Sequence, residues 1–434
     1  MNNETRKETQ VLPKDVRYVG ADDLTLPLFE NQYPVQPMGV SYNSYLILDE
    51  KIAVMDSVDA RAADEWLAKL AHELDGRRPD YLVISHMEPD HSGSILRLAE
   101  KYQEMKLVGN TKTFTMLRQF FGASAPANER LVEVGEGGTL SLGTHTLHFM
   151  LAPMVHWPEV MVAYEETEKI LFSADAFGRF GALSRTAGAP WAPQARRYYY
   201  NIVGKYGAQV QAVLKKAAAL DIAMICPLHG PVLKEDLGHY IDKYNIWSSY
   251  GVESEGVFIA YASVYGNTRK AADMLASKLA DKGVHVTVSD LARDDWAECV
   301  EDAFRYGKLV LAAPTYNADV FPAMKEFINH LTERNYQNRT VAFIENGSWA
   351  PMAAKVMTKM LEGSKNLTFT DTTVKILSAL NDDSKAQIES MANELCQDYL
   401  ARQDETANKN NLDALFNIGY GLYVVTSSDG SKDN

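Results

Sequence analysis

His86-Met87-Glu88-Pro89-Asp90-His91 packs four metal-competent side chains into six residues, directly after the apolar run 81–84. Along an extended chain every second side chain shares a face, so a strand ending in such a loop aims alternate residues at one point above the sheet edge. Two imidazoles and two carboxylates make a mixed nitrogen and oxygen donor set without thiolate. That set suits iron, manganese or zinc and disfavours a cysteine-type structural zinc site.

Working outward, three further candidates each follow an apolar strand-like run: His156 within 154–158, Asp175 within 172–177 and His229 within 226–230. Any one of them alone reads as a turn residue or a satisfied hydrogen-bonding group. Four strand-end loops carrying His-x-Glu-x-Asp-His, His, Asp and His in that order rarely arise from turn chemistry. Asp175 also stands between an apolar run and a glycine, where one carboxylate can bridge two ions.

On these residues the first half resembles the metallo-β-lactamase superfamily, and residues 15–400 together resemble the flavodiiron proteins, also called A-type flavoproteins. The fold expected is α/β: a metallo-β-lactamase-like αββα sandwich followed by a flavodoxin-like, doubly wound, five-stranded parallel sheet. Hydrolases of the superfamily carry His-x-His-x-Asp-His, and here Glu88 holds the second histidine position. An added carboxylate favours hard ferrous and ferric ions, and glutamate there is the pattern of the iron branch. The resemblance implies two non-haem irons, one held by His86, Glu88, His156 and bridging Asp175, the other by Asp90, His91, Asp175 and His229. Some members of the family leave the counterpart of His91 off the metal.

Residues 44–49 and 52–56 read as a hairpin, followed by helix 61–74, strand 81–85 and helix 94–102. A strand-rich stretch over 132–150 holds the turn 135–138, and 160–172 reads as another hairpin. Helix 209–220 and strand 222–226 close this half, assigned to 1–250 as the diiron domain. A shift to small and charged residues at 251–256 marks a linker. Strands 257–262, 284–289, 309–313, 340–344 and 368–373 then alternate with helices 268–282, 295–306, 322–333, 351–363 and 383–402. Such alternation means a parallel sheet with ligands at the carboxyl ends of its strands, here over 251–402.

The run 257–262 leads into Ser263-Val264-Tyr265-Gly266-Asn267-Thr268 and then a helix. Hydroxyls and backbone N–H groups at a helix N-terminus make an anion cradle. The loop resembles the flavodoxin phosphate loop and lacks the Gly-Lys-Ser/Thr ending of a Walker loop. Two later strand-end loops join it: Pro314-Thr315-Tyr316-Asn317, and Asn346-Gly347-Ser348-Trp349 after Glu345. They offer an aromatic from each side, Tyr316 or Trp349, for stacking on an isoalloxazine ring. FMN is the expected ligand.

Length and 46% apolar content allow two to three ordinary domains. A formal charge of −14 argues against nucleic acid or an anionic membrane as main partner. No run approaches a bilayer span, and the polar start carries no export signal. Cys226, Cys299 and Cys396 are odd in number and widely spaced, so they read as reduced thiols of a cytoplasmic protein. There is no Cys-x-x-Cys pair, which reads as the lack of an iron-sulfur or rubredoxin-type centre in the chain itself; the resemblance implies an external electron donor, whether rubredoxin, a flavin reductase domain or an NAD(P)H-linked reductase.

The function expected from the resemblance is reduction of dioxygen to water, of nitric oxide to nitrous oxide, or both, in a head-to-tail homodimer. Tyr198, within the tyrosine run 198–200, is a candidate hydrogen-bond donor to substrate, although such a run usually packs; Trp157 reads as a wall. Two rival readings are a zinc hydrolase with an accessory flavodoxin module and an electron carrier without metal chemistry. Residues 403–434 read as a linker and the partial start of a flavin reductase-like domain of the flavoredoxin kind, as if the chain were cut from a longer fusion.

Overall fold

Strands buried on both faces read as continuous apolar runs, and the first sheet shows it. The structure, a computed structural model, describes residues 12–408. Strands Val16–Tyr18, Tyr45–Ile47, Ala53–Met55, Tyr81–Val83, Lys106–Gly109 and Leu131–Glu133 lie side by side in that order. Alternate side chains divide between two cores. Tyr45, Ile47, Ala53, Met55 and Val83 meet Leu147, Phe149, Met161, Ala163 and Phe172 of a second sheet, while Leu46, Val54 and Leu82 turn outward beneath helices. Helix Ala63–Leu74, for example, buries Trp66, Leu70 and Leu74 at helical spacing on that outer face.

The second sheet runs Thr139–Ser141, Thr146–Leu151, Met161–Glu165, Ile170–Phe172 and Met224–Cys226. Its outer face lies under helices that include Gly207–Ala217 and Leu237–Ser248. Two sheets face to face with helices outside are the αββα sandwich. Helix Thr111–Phe121 and the small hairpins pairing Ala21–Asp23 with Val40–Tyr42 and Leu28–Phe29 with Tyr33–Pro34 are additions that the apolar pattern did not reveal. One expectation is corrected: the ligand loop is not extended throughout. Pro89, preset for a first helical position, starts the helical turn Pro89–Ser92, so Asp90 and His91 leave from a helix and only His86 and Glu88 from extended chain.

The second half orders its parallel strands Val286–Asp290, Ser254–Tyr261, Tyr306–Tyr316, Thr340–Asn346, Thr368–Ile376. That 2-1-3-4-5 order reverses direction between the strands starting at 254 and 306, which opens a crevice at their carboxyl ends. Helices Asn267–Asp281 and Asp382–Asn408 cover one face, Trp296–Arg305, Pro322–Glu333 and Ala353–Leu361 the other. Two boundaries differ from expectation. The first strand starts at Ser254, inside the stretch read as linker, because Ser254 pairs with Tyr306 and the Glu253 N–H donates to the Arg305 carbonyl. The last helix continues to Asn408 through polar residues of good helix propensity; the rest of the expected linker and the partial reductase-like domain lie outside the described residues.

Arg196 ties the halves together. Its Nε and Nη2 donate to Glu253 at 2.6 and 3.0 Å and its Nη1 to Glu301 at 2.6 Å. Buried Arg339 donates to the carbonyls of Tyr250 and Gly251 at 2.8 Å and to that of Phe304.

Candidate metal centre and flavin cleft

Each of the first sandwich's chemical side chains leaves a strand end on the same edge. His86 follows Tyr81–Val83, His156 follows Thr146–Leu151, Asp175 follows Ile170–Phe172 and His229 follows Met224–Cys226. Their donor atoms form two clusters, His86, Glu88, His156 and Asp175 in one, Asp90, His91 and His229 in the other. In the first, His156 Nε2 lies 3.0 Å from Glu88 Oε2 and 3.1 Å from Asp175 Oδ2, and His86 Nε2 lies 3.2 Å from Glu88 Oε2. In the second, His229 Nε2 and His91 Nε2 stand 3.2 and 3.3 Å from Asp90 Oδ2. Asp175 belongs to both: Oδ2 faces His156, while Oδ1 is 3.1 Å from His91 Nε2. All seven predicted side chains converge.

Tautomers show what these atoms need. His229 Nδ1 donates to the Ser41 carbonyl at 2.7 Å, and a carbonyl only accepts. His86 Nδ1 sits 2.7 Å from Glu159 Oε1 in the same way. In each ring Nε2 is thereby turned toward another imidazole nitrogen: His86 to His156 at 3.3 Å, His229 to His91 at 3.1 Å. Among the described residues Asp90 Oδ1 has no hydrogen-bond donor although it is buried, and Asp90 Oδ2 and Asp175 Oδ1 face only imidazole nitrogens of the same clusters. Facing ring nitrogens that both carry a proton, or both lack one, are costly in a low dielectric, as are crowded buried carboxylates, and a cation in each cluster removes both costs. The residues fit a pair of metal ions, and the all nitrogen and oxygen donor set fits iron.

The acid-base balance shows the same field. Burial pulls the His86 imidazole down, yet Asp175, Glu159 and Glu88 carry it well above its ordinary range; for His156 burial is likewise outweighed by Asp175 and Glu88, giving about 9. Burial pushes Asp175 up, but His91 and His86 hold it well below the usual carboxylate range. Tyr198 is fully buried, its ring centroid 5.5 Å from that of His229, and its hydroxyl has no partner among the described residues. Burial and then Asp175 keep it a neutral phenol. Trp157 packs edge-on against His86 at 5.2 Å, a wall as expected.

Three supporting groups escaped the sequence reading. Glu159 takes hydrogen bonds from His86 Nδ1 and from the Met87 N–H at 2.8 Å. Asp56 accepts from the Ser85 N–H at 2.7 Å, and burial, only partly offset by such bonds, pushes it to about 6. Asp56 directly follows the strand Ala53–Met55, so the rule that found the ligands could have found it, whereas Glu159 stands two residues ahead of the strand Met161–Glu165 and has no such signal. The Ser41 carbonyl carries no sequence signal at all. A cleft of about 460 Å³ reaches Glu88 and Asp90 from the surface between Leu28, Glu30, Tyr42 and Arg61.

The second half's crevice is a cleft of about 570 Å³. Loops 263–268, 314–317 and 346–349 line it as expected, except that Gly266 does not itself face the space. Gly266 takes φ +88, and its N–H and that of Arg269 donate to Ser263 Oγ at 3.1 and 3.3 Å, which folds the loop over the helix N-terminus. Thr315 is committed elsewhere: its Oγ1 accepts from the N–H groups of Met352 and Ala353. Tyr265 and Trp349 are 92% and 91% exposed, and Tyr316 47%. A fourth loop, at Ser378, was missed although it also ends a strand; its carbonyl accepts from Asn346 Nδ2 at 3.2 Å. No carboxylate lines the cleft among the described residues. A phosphate at the helix N-terminus and a flat aromatic between the exposed rings fit this lining.

Residues 40–230 match the family model of ODP family beta lactamases, and residues 258–379 that of the flavodoxin domain. An uncharacterized protein of Methanocaldococcus jannaschii is 31% identical over 77% of this chain and 84% of its own length. The nitric oxide reductase of Moorella thermoacetica is 28% identical over 81% and 88%. Among solved structures, rubredoxin oxygen:oxidoreductase from Desulfovibrio gigas superposes with a TM-score of 0.83 at 27% identity, over 91% of this chain and 99% of that one. The flavodiiron protein from Giardia intestinalis gives 0.81 at 25% identity, over 91% and 98%. The chain belongs to the flavodiiron protein family. Both halves of the flavodiiron architecture are present in one chain and in the family's order. Among the described residues no helix is long and apolar enough to cross a membrane.

Proposed function

We propose that this flavodiiron chain reduces dioxygen to water, nitric oxide to nitrous oxide, or both, with FMN in the second-half cleft and two irons in the first. The observation that carries the reading is Asp175, whose two oxygens face two separate donor clusters. His86, Glu88, His156 and Asp175 would hold one iron, and Asp90, His91, Asp175 and His229 the other. When bound, such a pair supplies electrons and a template for both atoms of a diatomic substrate.

The chain's own residues prepare that site. Glu159 and the Ser41 carbonyl hold Nδ1 of His86 and of His229, so their Nε2 atoms point inward before any metal arrives. Phe29 and Tyr198 pack on His229 at 5.5 Å and keep water from its flank. The free Tyr198 hydroxyl is placed to donate to a substrate oxygen or nitrogen. At the other cleft, loop 263–268 would hold the FMN phosphate, while Tyr316 and Trp349 would flank the ring.

A head-to-tail homodimer follows from the same reading. Leu28 is exposed at the mouth of the metal cleft, and Val264, Tyr265, Tyr316 and Trp349 at the flavin cleft. Bringing these mouths together would bury both apolar rims and set each FMN against the partner's irons. Rubredoxin, a flavin reductase or an NAD(P)H-linked reductase would supply the electrons. The direct test is Asp175→Ala. Iron content and consumption of both gases should fall together while the flavin spectrum stays intact, and retained turnover would refute the assignment. Zinc in protein grown with ample iron would favour a hydrolase instead.

A further inference from the structure

One row of aromatic rings leads from the metal centre out of the sandwich and into the other half of the chain. His229 contacts Tyr198 at 5.5 Å between centroids, and Tyr198 contacts Phe180 at 5.1 Å. Phe180 meets Tyr33 at 6.1 Å, and Tyr33 meets Trp296 at 5.3 Å. Trp296 opens the helix Trp296–Arg305 of the flavodoxin-like half, is half-buried, and stacks on His330 at 4.0 Å with planes 14° apart. Tyr198, Phe180 and Tyr33 are all buried. The row has an inner end touching a candidate iron ligand and an outer end at the surface.

We propose that this row is an escape path for oxidising equivalents, with Tyr198 as its entry and Trp296 as its terminus. The proposal rests on the reading that the site reduces dioxygen. Full reduction of dioxygen to water needs four electrons, two of which come from the flavin. Dioxygen that meets a centre short of electrons leaves it oxidising enough to attack its own ligands. Two oxidisable rings contact His229, Tyr198 at 5.5 Å and Tyr42 at 6.2 Å; the Tyr42 O–H donates to Asp23, whereas that of Tyr198 has no partner among the described residues. Tyr198 gives the centre one electron and its phenolic proton. One electron then passes from Trp296 through Tyr33 and Phe180 to Tyr198, which recovers its O–H bond by taking back the phenolic proton it gave. Trp296, now short of one electron, releases its indole proton to solvent. A low-molecular-weight thiol returns one electron and one proton to the indole at the surface and leaves as a thiyl radical, two of which couple to a disulfide. Each transfer is balanced, and the net effect is one external electron delivered to the centre.

Trp296 suits a terminus because an indole tolerates loss of an electron before it loses its proton, whereas a phenol does not. Stacking on an imidazole spreads the charge further. Burial and Arg334 hold His330 below its ordinary value, so that imidazole is neutral near pH 7. Arg334 lies 5.6 Å from the Trp296 ring and opposes the positive charge, which favours prompt release of the indole proton. A second aromatic run, from Phe177 through Tyr244 to Trp191, provides the competitor that the experiment must distinguish.

The test uses the iron- and FMN-loaded protein, partly reduced and cycled with dioxygen, followed by peptide mass mapping and freeze-quench electron paramagnetic resonance. Oxygenated mass and a tryptophan radical should appear at Trp296. In Trp296→Phe both should vanish there, oxygenated mass at Tyr198 and Trp157 should rise several-fold, and iron should be lost faster per turnover. Trp296→Tyr, with an oxidisable ring restored, should return protection. Turnover under excess reductant should be the same in all three proteins, which also verifies that the variants fold. Oxidation confined to Trp191 or to the ligands, equally in wild type and Trp296→Phe, would overturn the path while leaving the reductase reading in place. A protein that holds iron but consumes no dioxygen would overturn both.

Discussion

Replacing Glu159 tests whether the metal centre is held by its surroundings as well as by its ligands. One carboxylate oxygen takes the His86 Nδ1–H at 2.7 Å and the Met87 N–H at 2.8 Å. Burial alone would raise this carboxyl, but His86 and the Met87 N–H take it below its ordinary range. Glu159→Ala frees the His86 ring to turn and to change tautomer, and it strands two buried donors. Loss of a partner that orients a ligating histidine weakens metal binding by roughly 10- to 100-fold, or about 1.4–2.8 kcal/mol. Each stranded donor costs folding about 1–3 kcal/mol in addition. Glu159→Gln keeps an acceptor oxygen and should fall between wild type and alanine in both respects. Equilibrium competition with a ferrous chelator measures the first effect and thermal unfolding of metal-free protein the second, with flavin absorbance as internal standard. If Glu159→Ala melts lower yet holds iron as tightly as wild type, Glu159 merely satisfies a loop, and the tautomer reasoning for His86 is wrong.

Gly230→Ala should destabilise the chain and lower its iron content together, because φ is +79 there and a Cβ would stand 2.7 Å from Arg179 Cγ, beside His229; melting and metal analysis check both. Gly347→Ala places a Cβ 2.8 Å from the Pro351 Cα in the flavin cleft. Overpacking of about 1.4 kcal/mol there weakens FMN binding about tenfold, read by fluorescence titration, with iron unchanged. Glu301 should give the domain junction a pH dependence. Burial raises it to about 7, since Arg196 is already shared with Glu253. A raised folded value means the native state binds the extra proton, so stability is greatest below the ordinary value of 4.5 and falls as pH rises toward 7. The slope is at most about 1.4 kcal/mol per pH unit. Glu301→Gln should flatten melting temperature across that window, and an unchanged slope would remove Glu301 as its source.

Much of this molecule was legible in the chain because its strands are buried on both faces. Runs such as 81–84 and 257–262 are apolar without alternation, and the chemistry sits in the loops that follow them, so position along the sequence and position on the sheet edge coincide. The seven converging side chains and three of the four flavin loops were found that way. Ser378 obeys the same rule, but a single small residue carries no chemistry that sets it apart in the sequence. Glu159 and Asp56 resembled ordinary turn acids until their hydrogen bonds to His86 and the Ser85 N–H were seen.

Other features depend on contacts between residues far apart in the chain. The Ser41 carbonyl orients His229 from 188 residues away, and any residue type could supply a carbonyl. The helical turn at Pro89 changes how Asp90 and His91 leave the backbone without changing which residues are ligands. The ring row from Tyr198 to Trp296 joins two halves whose facing was set by the Arg196 and Arg339 junction. Local chemistry and periodicity determined which groups exist and which edge they occupy; packing alone decided which lone pair faces which and which ring touches which, because those depend on distances that no spacing along a chain encodes.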